Sequence, residues 1–138
     1  MPSVVIVALP RYAPPEVHCT IAYLGDVESA VVPPNLASIV QAAAWFQVPF
    51  TARVVRPNQF GPDGEDSVVE IESIHLRSLR DSFEFLSASR WGFRPHITEQ
   101  PGWPLPQPGT TIEFDRLALW HGDDRYVYAL GTGAPRSA

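Results

Sequence analysis

Two short runs, Val17-His18-Cys19-Thr20-Ile21 and Arg94-Pro95-His96-Ile97-Thr98, each set a histidine two residues before a threonine in a stretch that reads as a β-strand. Strand side chains alternate between faces, so His18 and Thr20 share one face, as do His96 and Thr98. Cys19 and Ile97 then turn the opposite way, where they can anchor each strand in a core. A fold that uses both runs must present two imidazole-and-hydroxyl pairs from stiff elements, which is how proton-transfer groups are best held.

The rest of the chain reads as scaffolding for these runs. Residues 3–9 are apolar and rich in β-branched side chains, the pattern of a strand covered on both faces. Pro10 to Glu16 is a proline-rich loop containing Tyr12, and residues 17–24 form the first motif strand. Pro33-Pro34 offers a helix start, and Leu36, Ile39, Val40, Ala43 and Phe46 follow helical spacing over 34–46. Strands are expected at 49–57 and 68–72, with a turn at Gly61-Pro62-Asp63-Gly64. Ser73 is placed to cap a second helix whose apolar face is Leu76, Leu79, Phe83 and Leu86. Gly92 ends that region and 93–99 carry the second motif. Residues 100–111 form an extended loop with Trp103, and 112–120 with 125–131 make a hairpin across Gly122-Asp123-Asp124. A frayed tail is expected from Thr132. A motif in each half, with a helix in each half, suggests two similar lobes facing each other.

Composition narrows the function classes. The 138 residues fit one domain (1–138) or two small lobes sharing a core, and 45% hydrophobic content is that of a globular protein. A formal net charge of −5 argues against sequence-blind binding to long nucleic acid, but not against a small phosphate ligand. The single cysteine, Cys19, has no internal disulfide partner, so a cytoplasmic, reducing setting is expected. The apolar run Val4 to Leu9 is too short to span a membrane and has no basic lead-in, so no membrane partner is expected.

The pattern His18-x-Thr20 followed by Tyr23-Leu24-Gly25, then Phe93-Arg94-Pro95-His96-Ile97-Thr98, resembles the 2H phosphoesterases, relatives of bacterial 2′–5′ RNA ligase and of the cyclic nucleotide phosphodiesterases. Gln59-Phe60-Gly61, Val68-Val69 and His75-Leu76 resemble the middle section of that family. The resemblance spans most of residues 3–99 and implies an α+β, bilobal fold. In it two antiparallel-sheet lobes with outer helices hold both motifs around a phosphodiester in a central groove, without metal or other cofactor. Glu99-Gln100 departs from the pattern, where relatives carry apolar or basic residues, and the chain is shorter than the RNA ligase-like members. Small stand-alone members include phage proteins that degrade cyclic oligonucleotide immune signals, and the short chain fits that group.

The residues support this chemistry on their own terms. Phosphodiester cleavage needs a base for the attacking oxygen and an acid for the leaving one, and His18 and His96 can divide that work. The Thr20 and Thr98 hydroxyls would hold phosphate oxygens. Which histidine is acid and which is base stays open. Metal catalysis is the competing use of histidine, but no H-x-H, HD or E-x-x-H spacing occurs, and Asp63, Glu65 and Asp66 read as solvated turn residues. Arg94 either meets phosphate or forms a surface ion pair; Arg11, Arg53 and Arg56 are weaker candidates. Tyr12 and Trp103 either stack on a base or pin their loops to the body. His75 and His121 read as helix-start and hairpin-end residues.

The expected activity is thus a metal-independent phosphodiesterase. Its substrate is a small nucleotide or oligonucleotide, cyclic ones foremost, cut beside a ribose 2′-oxygen. The alternatives are hydrolysis of a 2′,3′- or 1″,2″-cyclic phosphate in RNA processing, and a nucleotide-binding module without turnover.

Overall fold

One long strand joins the two halves of the molecule. The computed structural model describes residues 2–88 and 92–131. Its elements are β1 (Ser3–Pro10), β2 (Cys19–Asp26), α1 (Leu36–Phe46), β3 (Phe50–Phe60), β4 (Asp66–Glu72), α2 (Ile74–Phe83) with a 3₁₀ turn at Glu84–Leu86, β5 (His96–Thr98), β6 (Thr111–His121) and β7 (Asp124–Ala129). All pairings are antiparallel, in the order β2-β1-β6-β3-β4-β5 with β7 also on β6. The start of β6, Thr111 to Phe114, pairs with β3, while its remainder pairs with β1 on one edge and β7 on the other. The two sheets of a bilobal α+β fold are therefore one seven-stranded sheet, continuous through β6.

The apolar run of β1 serves both faces of this sheet. Val4, Ile6 and Ala8 enter the main core with residues of both helices and of β2 to β6. Val7 and Leu9 join Ala118 on the other face, where Val5 and Trp120 pack against them. Each helix packs on strands from the far end of the chain: α1 against β6 and β7, α2 against β2. The Ser73 hydroxyl caps α2 by accepting from the backbone N–H groups of His75 and Leu76, a contact that contributes about 1 kcal/mol. The N–H of Gly131 caps the carbonyl of Ala44 near the end of α1, and a Cβ at Gly131 would lie 2.5 Å from the Trp45 carbonyl oxygen.

Boundaries shift by a few residues for physical reasons. β2 opens at Cys19 rather than residue 17, because Pro14, Pro15 and a turn closed by the Val17 N–H on the Pro14 carbonyl occupy the approach. β5 is only three residues long. Pro95 has no N–H for the ladder, although its carbonyl accepts from Ile71. β3 runs on to Phe60, past an irregularity in register between Val54 and Arg56. α2 stops at Phe83, with Leu86 in the 3₁₀ turn. The tail from Thr132 lies outside the described residues. Among the described residues no helix is long and apolar enough to cross a membrane.

Candidate active site

The strands that carry the two motifs are the two ends of the sheet path, and the sheet curls until β2 and β5 touch. Alternation places the side chains as period two requires: Cys19 and Ile97 are fully buried, while His18, Thr20, His96 and Thr98 are half-buried. Cys19 also links the strands. Burial pushes its thiol up to about 12, against a hydrogen bond from the His96 backbone that favours the thiolate.

Both histidines are tethered in the same way. His18 Nδ1 lies 2.6 Å from the carbonyl of Glu16, and His96 Nδ1 lies 2.8 Å from that of Arg94, each two residues back in the chain. A carbonyl oxygen only accepts, so each Nδ1 carries hydrogen and each Nε2 is the nitrogen available for proton transfer. Each ring also meets an aromatic edge-on: His18 with Trp120 of β6 at 4.5 Å, and His96 with Phe60 of β3 at 4.7 Å. A guanidinium then covers each aromatic, Arg125 over Trp120 at 4.6 Å and Arg94 over Phe60 at 4.9 Å. The site is thus two matching stacks of histidine, aromatic ring and arginine.

The stacks differ in their charges. Arg94 donates to Glu70 at 2.9 Å, and Glu70 also pairs with Arg56 and accepts from Asn58. Burial would raise the Glu70 pKa, but the hydrogen bonds from Asn58 and Arg94, with the charges of Arg94 and Arg56, hold it below the ordinary value. The His18 pKa is lowered, chiefly by burial; the bond to Glu16 opposes this, and the charges of His96 and Arg125 add to it. Burial and the neighbouring charges thus favour the neutral form of the His18 imidazole. A group whose folded pKa is depressed favours folding above its unfolded pKa, and that contribution is lost as pH falls through the folded value. If His18 is the base, the acid limb of kcat/KM is expected below pH ~6.5, the value of a free imidazole. A pH–rate profile with its acid limb at or above that value would remove His18 from the role.

A cavity of about 710 Å³ opens beside His96, lined by Thr20, Tyr23, Phe60, Arg80, Phe93 and Arg94 among others. Arg80 is only 7% exposed; it donates to the Ile21 carbonyl at 2.8 Å, pairs with Glu84 and lies 5.3 Å from the Phe93 ring. One guanidinium from α2 thus ties the free edge of β2, beside Thr20, to the approach to β5. Its sequence signal is that it stands four residues after Leu76, on the apolar face of α2.

The other expected residues fall as follows. Thr20, His96 and Arg94 border the cavity, and Arg94 both faces it and forms an ion pair. Thr98 lies opposite Val68 on the His96 side of β5. Tyr12 is 88% exposed with a positive φ of 62°, under the Arg11 guanidinium, and Arg11 pairs with Glu113. Trp103 packs against the main core and donates its backbone N–H to Gln100, the contact of a loop-pinning residue. Arg53 pairs with Glu72. His75 stands at the start of α2 against Phe50 and Gln47, and His121 ends β6. Trp120, Arg80, Arg125 and Glu70 are further candidate residues that the sequence does not single out, and Phe60, named there only within a family-like run, joins them through its contact with His96. Among the described residues no group of three or more His, Cys, Asp or Glu side chains is placed to share a metal ion.

No protein-family model matches the sequence, and no curated protein does. Solved structures match over nearly the whole chain. TT0787 of Thermus thermophilus is 18% identical, with 96% of this chain and 100% of that one covered and a TM-score of 0.64. A phosphoesterase is 15% identical over 94% and 99%, TM-score 0.58. LigT of E. coli complexed with 3′-AMP is 15% identical over 93% and 98%, TM-score 0.56; LigT has also been solved with NADP+ and with ATP. The fold is thus the LigT-like, 2H phosphoesterase fold.

Proposed function

We propose that this protein is a metal-independent 2H-type phosphodiesterase that cleaves a small nucleotide or short oligonucleotide beside a ribose 2′-hydroxyl. The observation that carries this reading is the matched tethering of His18 and His96. Two imidazoles on strands in contact, each bonded through Nδ1 to a carbonyl, form a base and an acid that need no reorientation during reaction. The LigT complexes with 3′-AMP, NADP+ and ATP support a nucleotide ligand.

His18, the imidazole with the lowered pKa, is the base. Its Nε2 takes the proton of the 2′-hydroxyl, the 2′-oxygen bonds to phosphorus, the bond from phosphorus to the 5′-oxygen breaks, and that oxygen takes a proton from His96 Nε2. The products are a 2′,3′-cyclic phosphate and a free 5′-hydroxyl. Attack within one ribose is intramolecular, so alignment and charge neutralisation carry most of the acceleration. The Thr20 and Thr98 hydroxyls donate to the phosphate oxygens as charge builds. Arg94, beside His96, offers guanidinium N–H donors to the phosphate at the same end, its charge shared with Glu70. The leaving nucleoside sits in the cavity beside His96, where Tyr23, Phe60 and Phe93 offer surfaces for its base. At the other end, the exposed Tyr12 is the stacking candidate.

The experiment is product analysis. The protein is incubated with linear and cyclic dinucleotides in EDTA, and the products are identified by mass spectrometry. A 2′,3′-cyclic phosphate with a 5′-hydroxyl partner is expected. Binding with no product would favour a sequestering module, and cleavage that needs an added divalent ion would overturn the reading.

A further inference from the structure

The two stacks differ in one respect that bears on substrate choice. Arg94 has its charge matched by Glu70, but Arg125 does not. Its Nη1 donates to the carbonyls of Gly122 at 2.6 Å and Asp124 at 3.2 Å, which occupy donors without cancelling charge. Among the described residues Arg11, Arg53, Arg56, Arg80, Arg94 and Arg116 all meet carboxylates, leaving Arg77 and Arg125 without one. Arg77 is exposed on α2, away from that helix's buried face.

Strand register places Arg125 toward the site. Tyr23, Val5, Trp120 and Arg125 are successive cross-strand partners on β2, β1, β6 and β7, so their side chains share one face. That is the face on which Val5 and Trp120 pack away from the main core, and on which Trp120 meets His18. The guanidinium sits over the same indole that backs His18, its Cζ 4.6 Å from the ring centroid, and its charge is felt at that imidazole. Stacking and the two carbonyl bonds hold it in place, so little conformational entropy opposes its use as a binding group.

We propose that Arg125 binds a second phosphate, the one esterified to the 5′-oxygen of the nucleoside whose 2′-hydroxyl attacks. This deepens the phosphodiesterase reading and rests on it. With His18 as base, the attacking nucleoside lies at the His18 end and its 5′-oxygen points further outward, toward the hairpin that carries Arg125. The leaving nucleoside occupies the aromatic cavity at the other end. The site thereby recognises a nucleobase on one side of the scissile phosphate and an anion on the other. A dinucleoside monophosphate with no 5′-phosphate is the poorer substrate.

The test compares four ligands with the full chain: a dinucleoside monophosphate, the same with a 5′-terminal phosphate, the same with a 3′-terminal phosphate, and a trinucleotide in which that 5′-oxygen carries a phosphodiester. A 5′-phosphate is expected to raise kcat/KM about tenfold, the effect of one charge-assisted contact at a partly solvated site, and a 3′-phosphate is not. Enhancement by the terminal monoester alone means recognition of a strand end; enhancement by the trinucleotide also means recognition within a strand. In Arg125→Gln the ratio of the 5′-phosphorylated to the plain substrate falls to about one, whereas Arg77→Gln, the same change in net charge, keeps the wild-type ratio. Dissociation constants of the 2′-deoxy analogues, which bind without being cut, give the same ratio independently of turnover, and thermal melts report folding. Equal rates with and without the 5′-phosphate, an equal gain from a 3′-phosphate, or a ratio that survives Arg125→Gln overturns the role of Arg125. Failure to cleave all four, and cyclic dinucleotides as well, overturns the phosphodiesterase reading itself.

Discussion

Turnover by His18→Ala and by His96→Ala is expected to fall ~10²–10⁴-fold in each case, the usual contribution of a positioned acid or base. Neither ring is part of the buried core, so both variants should fold. Their pH profiles should differ in kind. Without His18 the acid limb disappears, because the group that must be neutral is gone. Without His96 that limb remains and the alkaline one is lost. The double variant should be little worse than either single one, since two groups that act in one concerted step do not contribute additively. Near-wild-type activity in either single variant, in an assay with an identified product, would remove the paired-histidine mechanism.

The second large effect is on the substrate. Replacing the ribose at the scissile position with 2′-deoxyribose is expected to abolish cleavage while leaving binding largely intact. The attacking atom is then missing, but the phosphate and both bases are still present. This separates attack by the ribose from attack by water. In the first, the initial product contains no oxygen from solvent; in hydrolysis of a preformed cyclic phosphate, it must. Cleavage of the deoxy substrate at a comparable rate, or label from heavy-oxygen water in the first product, would exclude the 2′-hydroxyl and favour a water-activating enzyme.

Local sequence periodicity locates the strands, both helices and the inward turn of Cys19 and Ile97, because each depends on neighbours within a few residues. The Ser73 cap and the hairpin around Gly122 are legible for the same reason. The strand pairing is not: that Thr111 to Phe114 meets β3 while the rest of β6 meets β1 depends on contacts across the whole chain. The same limit separates the site residues that sequence finds from those it misses. His18, Thr20, His96 and Thr98 belong to repeated local patterns. Trp120 and Phe60 matter only because distant strands carry them to an imidazole, and an aromatic in a strand otherwise reads as packing. Trp103 carries the same ambiguity, and its contacts are with the core. Arg80 leaves a visible sign, a charge on an apolar helical face, but its partner Ile21 lies in another element.

The identical carbonyl tethers bear on what happens after a single turnover. In the proposed reaction, bond breaking leaves His18 charged and His96 neutral, the mirror image of the starting state. Neither ring can swivel to recover its proton without breaking its Nδ1 bond, so the enzyme emerges primed for the reverse step or for its chemical equivalent, water in place of the departed 5′-hydroxyl. Whether the cyclic phosphate is opened then becomes a contest between attack by water and the two events that end that chance, product escape and a proton crossing through solvent. Buffers that carry protons quickly should favour release of the cyclic product, and slow ones its onward hydrolysis.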